Sequence, residues 1–246
     1  MTADVSKAVL LAAGRGTRLG ALTERMPKPL LSVGGRPIIA RILDGLRAAG
    51  IREVLIVTGY LGEQIERELG NGAASGFSIT YARQETRDGT ARAAALAREF
   101  AGDERFFVGW GDILVDPANY PKLVRAARFA DAAIAVNEVA DPAAGAAVYV
   151  DDGMRATRIV EKPAPGTSAT PWNNAGLCVL PPAIWPFIEA LEPSERGEYE
   201  LPQAIAAFIE GGANVRAVPT DGPWFDIGTP ENLEAARAAF GRERVR

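Results

Sequence analysis

An apolar run from Ala8 to Ala13 empties straight into Gly14-Arg15-Gly16-Thr17-Arg18. Such a run is a short buried strand. Glycines directly after it let the backbone turn sharply and bring its N–H groups close to a ligand. Arg15 and Arg18 beside those amides make a concave, positive pocket suited to phosphate oxygens. Downstream, Lys28 stands between Pro27 and Pro29. Prolines fix φ, so this lysine is held in place rather than free. Two common phosphate loops do not fit. Leu19 occupies the third-glycine position of G-x-G-x-x-G, and no Lys follows Gly16 or Gly20 as G-x-x-x-x-G-K-[ST] requires. A dinucleotide-binding dehydrogenase fails on the same Leu19.

From this loop onward, strand and helix signals alternate. Ile38, Ile39, Ile42, Leu43 and Leu46 recur at helical spacing in a helix that starts at Arg36-Pro37 and is capped by Gly50. Strands are expected at 54–57, 77–82 and 105–110, with helices at 62–69 and 90–100. The expectation is an α/β fold, with a Rossmann-like, three-layer, mostly parallel sheet and helices on both faces. In such sheets ligands lie beyond the carboxyl ends of the strands. After about residue 130 the pattern is mixed. Strands are expected at 132–139, 146–150, 156–160 (closing a hairpin over Asp151-Asp152-Gly153), 174–180 and 215–218. Helices are expected at 182–191, 200–211 and 230–240. One domain is therefore expected over 1–246, with a first lobe at about 1–130 and a second at about 131–246. Ala164–Pro171 is a loop-like biased segment beside the expected site.

Composition removes several chemistries. The 246 residues include no histidine and one cysteine, with a net charge of −4. Ser-His-Asp triads, Cys-His pairs and His-ligated zinc are excluded. A metal here needs oxygen ligands, which points to Mg²⁺, with Mn²⁺ as the alternative. The acidic balance gives no footprint for nucleic acid. No apolar run approaches the ~20 residues of a membrane helix. Cys178 lies in an apolar run and reads as core. Thr2-Ala3-Asp4 leads into the first strand without a signal-peptide layout, so a cytoplasmic protein is expected. The closing Arg242-Glu243-Arg244-Val245-Arg246 reads as a solvated tail.

Further polar groups fall just after strands. Gln84 opens Gln84-Glu85-Thr86-Arg87-Asp88-Gly89; its amide offers a donor and an acceptor for the imide edge of uracil or thymine, and Gly89 allows close backbone approach. Asp112 follows Gly111 at a strand end, and Asp226 lies in Trp224-Phe225-Asp226-Ile227-Gly228-Thr229-Pro230. Taken singly, Asp112 also reads as a strand-end turn and Asp226 as a helix-start residue. Glu161-Lys162-Pro163 and Asn173-Asn174-Ala175-Gly176 follow or form strands.

The string of glycines, Thr17-Arg18-Leu19 and Pro27-Lys28-Pro29-Leu30, with the later motifs in order, resembles the sugar-1-phosphate nucleotidyltransferases over roughly Lys7 to Phe240. The pattern is nearest to glucose-1-phosphate uridylyl- and thymidylyltransferases. That resemblance implies condensation of a sugar 1-phosphate with an NTP, UTP or dTTP favoured, to NDP-sugar and pyrophosphate. It implies Arg18, Lys28 and Lys162 as catalytic cations. It places the nucleotide on Ala12, Ala13, Gly14, Arg15, Gly16, Thr17, Gln84, Gly89 and Asp112. The sugar phosphate falls to Gly145, Glu161, Lys162, Asn174 and Glu200, and Mg²⁺ to Asp112 and Asp226. Two departures stand out. Alanines flank Gly145 where bulkier residues are usual, and Pro202 replaces a usual Thr near Glu200, where it reads equally as a first-turn helix proline. Longer relatives carry a C-terminal left-handed β-helix, and none is expected here. A homo-oligomer is a further option the resemblance allows. The alternatives are a cytidylyl- or guanylyltransferase of the same fold, acting on choline phosphate or on a mannose or heptose 1-phosphate, and a non-catalytic nucleotide-sugar sensor.

Overall fold

The computed structural model describes residues 5–240. Thr2-Ala3-Asp4 and the basic tail at 242–246 lie outside the described residues. In chain order the elements are β1 (Lys7–Ala12), β2 (Ser32–Val33), β3 (Arg36–Pro37), α1 (Ile38–Ala48), β4 (Glu53–Thr58), α2 (Gly62–Leu69) and β5 (Ser78–Arg83). Next come α3 (Thr90–Ala95), α4 (Arg98–Ala101), β6 (Phe106–Trp110), β7 (Ile113–Val115), α5 (Asn119–Ala127), β8 (Ala132–Glu138), β9 (Ala146–Val150) and β10 (Ala156–Glu161). The chain closes with β11 (Trp172–Leu180), α6 (Trp185–Glu189), α7 (Leu201–Glu210), β12 (Val215–Pro219), β13 (Trp224–Asp226) and α8 (Pro230–Phe240).

One nine-stranded sheet runs through both halves of the chain in the order β10-β9-β11-β6-β1-β4-β5, with β8 on β11 and β12 on β8. Strands β1, β4, β5, β6, β8, β9 and β12 point one way, β10 and β11 the other. The expected mostly parallel sheet is thus present. Along β1 the side chains alternate between two cores. Ala8, Leu10 and Ala12 face α1, α5 and α8 through Ile39, Ile42, Leu123 and Leu233. Val9 and Leu11 face α3, α6 and α7 through Ala94, Ile188, Ala204 and Ile205. Helices therefore cover both faces. Cys178 is a core residue, and burial pushes its thiol well above the ordinary value.

Several boundaries differ from the sequence reading. Arg36-Pro37 does not begin the helix; it pairs with Ser32–Val33 in a small hairpin, and α1 starts at Ile38. The helix expected over 90–100 is split. The N–H groups of Leu96 and Ala97 turn to carbonyls three residues back, at 3.3 and 2.9 Å, which ends α3 before α4 begins. The helix expected over 182–191 is a 3-10 turn at Pro182–Ile184 followed by α6, where Pro186 supplies no N–H. Helix α5 and strands β7 and β13 were not read from the sequence. The hairpin at 151–153 forms as expected, with Asp151 Oδ1 accepting from Gly153 N and Arg155 N at 2.9 Å each.

Candidate active site

The loop after β1 turns at Gly16, whose φ of 69° is left-handed, into a 3-10 turn over Thr17–Thr23. Thr23 Oγ1 donates back to Gly16 O at 2.9 Å and closes the turn. Leu19 is buried, so the residue that breaks the dinucleotide pattern is a core anchor of this loop. Lys28 lies in a second 3-10 turn entered from extended Pro27, and its side chain is buried and ion-paired with Asp112. Pro27 and Pro29 flank it in that turn, and the ion pair fixes its side chain.

Asp112 and Asp226 are brought together by β7 and β13. These pair antiparallel with Asp226 opposite Ile113, and Ile227 N donates to Asp112 O at 3.0 Å. Burial raises the Asp226 carboxyl pKa, and the facing Asp112 raises it further, while Lys28, Arg18 and Lys162 pull it down. Five charged groups from distant parts of the chain thus converge. Gly228 makes room for one of them, since a Cβ there would lie 2.7 Å from Arg18 Nη2.

A cavity of about 360 Å³ opens over this cluster, lined by Arg18, Asp112, Gly145, Glu161, Lys162, Asn174, Glu200 and Asp226 among others. Every residue expected at the sugar phosphate is there. Lys162 has a φ of 43°, rare for a side-chain-bearing residue, and its N–H is held by Gly145 O at 2.7 Å. Lys162 Nζ stands 3.8 Å from an oxygen of both Glu161 and Glu200. Burial and the neighbouring Glu200 charge push the Glu161 carboxyl up to about 7, against the pull of Lys162 and Arg196. Burial likewise raises Glu200, which sits at the N-cap of α7 with Pro202 in the first turn. The first-turn reading of Pro202 is the one the fold adopts.

An adjoining cavity of about 310 Å³ is lined by Ala13, Gly14, Arg15, Gln84 and Gly89, with Thr90, Trp110, Asp112, Glu198 and Glu200 shared between the two. Ala12, Gly16 and Thr17 do not line it; Ala12 is the buried end of β1, and Gly16 shapes the turn. Gly89, which lines this cavity, is also required by its packing. A Cβ there would lie 2.3 Å from Tyr199 O, and φ is 117°.

Sequence reasoning missed Arg196 and Trp110. Arg196 pairs with Glu200 and lies 3.8 Å from Glu161 and 3.7 Å from Glu198. Its only trace in the sequence is the dense charge of Glu195-Arg196-Gly197-Glu198 just before Glu200. Trp110 was read as a strand end, and its position between the two cavities follows from the sheet order alone.

A metal site can be tested on its donors. Among the described residues no group of three or more His, Cys, Asp or Glu could hold a metal. Asp112 and Asp226 are a facing pair of hard carboxylates. A Mg²⁺ ion normally takes one or two carboxylates and completes its shell with water and substrate phosphates. The pair fits that pattern. No described helix is long and apolar enough to cross a membrane.

A UTP–glucose-1-phosphate uridylyltransferase of Haloferax volcanii, AglF, is 36% identical over 96% of this chain and 97% of its own length. A glucose-1-phosphate thymidylyltransferase of Streptomyces antibioticus is 34% identical over 92% of this chain, which spans 64% of that longer relative. A solved UDP-glucose pyrophosphorylase in complex with UDP-glucose shares the fold, with a TM-score of 0.87 at 22% identity over 98% of this chain and 100% of that one. The nucleotidyl transferase family model matches residues 7–243. That match takes in the glycine loop, the paired aspartates and the Glu161-Lys162 corner alike, and this chain belongs to the nucleotidyl transferase family.

Proposed function

We propose that this chain condenses a sugar 1-phosphate with a pyrimidine nucleoside triphosphate, UTP or dTTP, releasing pyrophosphate and an NDP-sugar. The observation that carries this is the pair of adjoining cavities that share Asp112, Trp110 and Glu200, with Arg18, Lys162 and Asp226 lining the larger one beside Asp112 and Lys28 ion-paired to that aspartate. The nucleotide occupies the smaller cavity, with its base on Gln84 and its phosphates on the Gly14–Arg18 loop. The sugar occupies the larger one, with its hydroxyls on Glu161, Asn174 and Glu200. The name of the full-length relative, a uridylyltransferase acting with glucose 1-phosphate, agrees with this reading.

The attacking phosphate oxygen is anionic near neutral pH, so no general base is needed, in keeping with a chain that has no histidine. The obstacle is repulsion between two polyanions. Lys162 neutralises the attacking phosphate, with Arg196 behind it. Lys28 and Arg18 meet the triphosphate, and Arg18 carries the charge that builds on the leaving pyrophosphate. Mg²⁺ held by Asp112 and Asp226 would draw charge from the α-phosphate and the leaving group. Holding both substrates in line can supply about 7–11 kcal/mol of the barrier lowering. Lys28 is ion-paired with Asp112, so a metal on Asp112 and a triphosphate on Lys28 would exchange one ion pair for others rather than expose bare charge.

The reverse reaction tests the proposal. UDP-glucose with pyrophosphate and Mg²⁺ is expected to yield UTP and glucose 1-phosphate. A protein that binds UTP yet cleaves no UDP- or dTDP-hexose would contradict it.

A further inference from the structure

Gln84 has both of its amide hydrogens committed within the protein. Its Nε2 donates to Asp88 Oδ1 at 3.0 Å and to Gly89 O at 3.0 Å. Oxygen and nitrogen of a glutamine amide are assigned from their partners. Here both partners are acceptors only, a carboxylate oxygen and a carbonyl, so the nitrogen must face them. The carbonyl Oε1 is left without a partner among the described residues, and it is not among the buried unpartnered atoms. The segment is also seated firmly. Asp88 O accepts from Tyr199 N at 2.7 Å, Tyr199 O accepts from Ala91 N at 2.8 Å, and Gly89 lies so close to Tyr199 that no side chain fits. Gln84 lines the smaller cavity. It therefore faces its ligand with an acceptor and no donor.

We propose that Asp88 is a positioning residue for base recognition, which locks the Gln84 amide so that only its carbonyl meets the base and thereby selects a pyrimidine with a ring N–H. Uracil and thymine carry that N–H between two carbonyls. Cytosine has a lone pair at the same ring nitrogen, and a fixed carbonyl opposite it faces oxygen to nitrogen with no proton between them. This rests on the smaller cavity being the nucleotide site, and it goes further by naming the residue that sets the amide's orientation. Asp88 touches no part of the base itself; it acts through Gln84.

Equilibrium titration with UTP and with CTP, in Mg²⁺, tests the assignment without needing turnover. The wild-type protein is expected to bind UTP at least tenfold more tightly than CTP, roughly the effect of one buried group left unpaired. In Asp88→Asn one of the two acceptor-only partners is lost and Gly89 O alone is left to orient the Gln84 amide, so the lock is weakened and the UTP:CTP affinity ratio is expected to fall, by up to about tenfold. A role confined to loop stability would weaken both nucleotides together and leave the ratio unchanged, which overturns the proposal. So does a wild-type protein that binds CTP as well as UTP. If Asp88→Asn does not fold, Asp88→Ser, whose hydroxyl also accepts or donates, is held to the same ratio. A wild-type protein that prefers UTP but transfers nothing from it sinks the transferase reading and leaves the Asp88 assignment to be decided by the ratio.

Discussion

Arg18 and Gly228 constrain each other. The Arg18 guanidinium occupies the space that a side chain at 228 would fill. Gly228→Ala is expected to leave the fold intact but displace Arg18, lowering kcat by about tenfold to a hundredfold with a smaller change in KM. Arg18→Ala and Asp112→Ala are each expected to cost about 10²–10³ in kcat or more while the chain stays folded, since a preorganised charge at the reacting phosphate is lost. Glu161 gives a pH signature. Its carboxyl rises from an ordinary value of 4.5 to about 7 in the folded chain, chiefly by burial. The folded state then holds a proton that the unfolded state has released. That contribution to stability is complete below about pH 4.5 and is lost as pH rises through 7. The melting temperature is expected to fall between pH 5 and 8, and to fall less steeply in Glu161→Gln. An identical slope in both proteins would remove Glu161 as the source.

Elements decide which of these residues could be foreseen. The glycine loop and Lys28 were legible because strand, glycines, arginines and the flanking prolines are contiguous. The meeting of Asp112 with Asp226 rested on the motif resemblance alone, because β7 and β13 are three residues each and carry no periodicity to read. Helix α5 was hidden for a related reason. Its first turn, Asn119-Tyr120-Pro121, resembles a loop, and its apolar face shows only once Tyr120 stacks on Phe107 with ring centroids 5.4 Å apart. That packing allows a check of the α1–α5 contact. A Cβ on Gly45 of α1 would lie 2.3 Å from the Tyr120 ring. Gly45→Ala is expected to destabilise the protein by about 1–3 kcal/mol in urea unfolding despite the better helix propensity of alanine. No loss would show that the ring moves aside freely.

At the scale of the whole molecule, one sheet serves both substrates. Its parallel strands β1, β4, β5 and β6 deliver the glycine loop, Gln84 and Trp110 to their carboxyl ends. Its antiparallel strands β10 and β11 bring Glu161 and Asn174 to the same crevice. The sequence showed the first set through strand–helix alternation. The second rested on motif resemblance, since mixed pairing leaves no comparable pattern. A continuous sheet ties the two cavities rigidly together, which suits an in-line reaction between their contents. The most direct test is pyrophosphate release with Mg²⁺, from each NTP and dTTP against a panel of sugar 1-phosphates. The expected result is release with UTP or dTTP, only when a sugar 1-phosphate is present, and near none with CTP, ATP or GTP. Release that ignores the sugar, or none with any pyrimidine nucleotide that binds, would contradict a transfer between the two cavities.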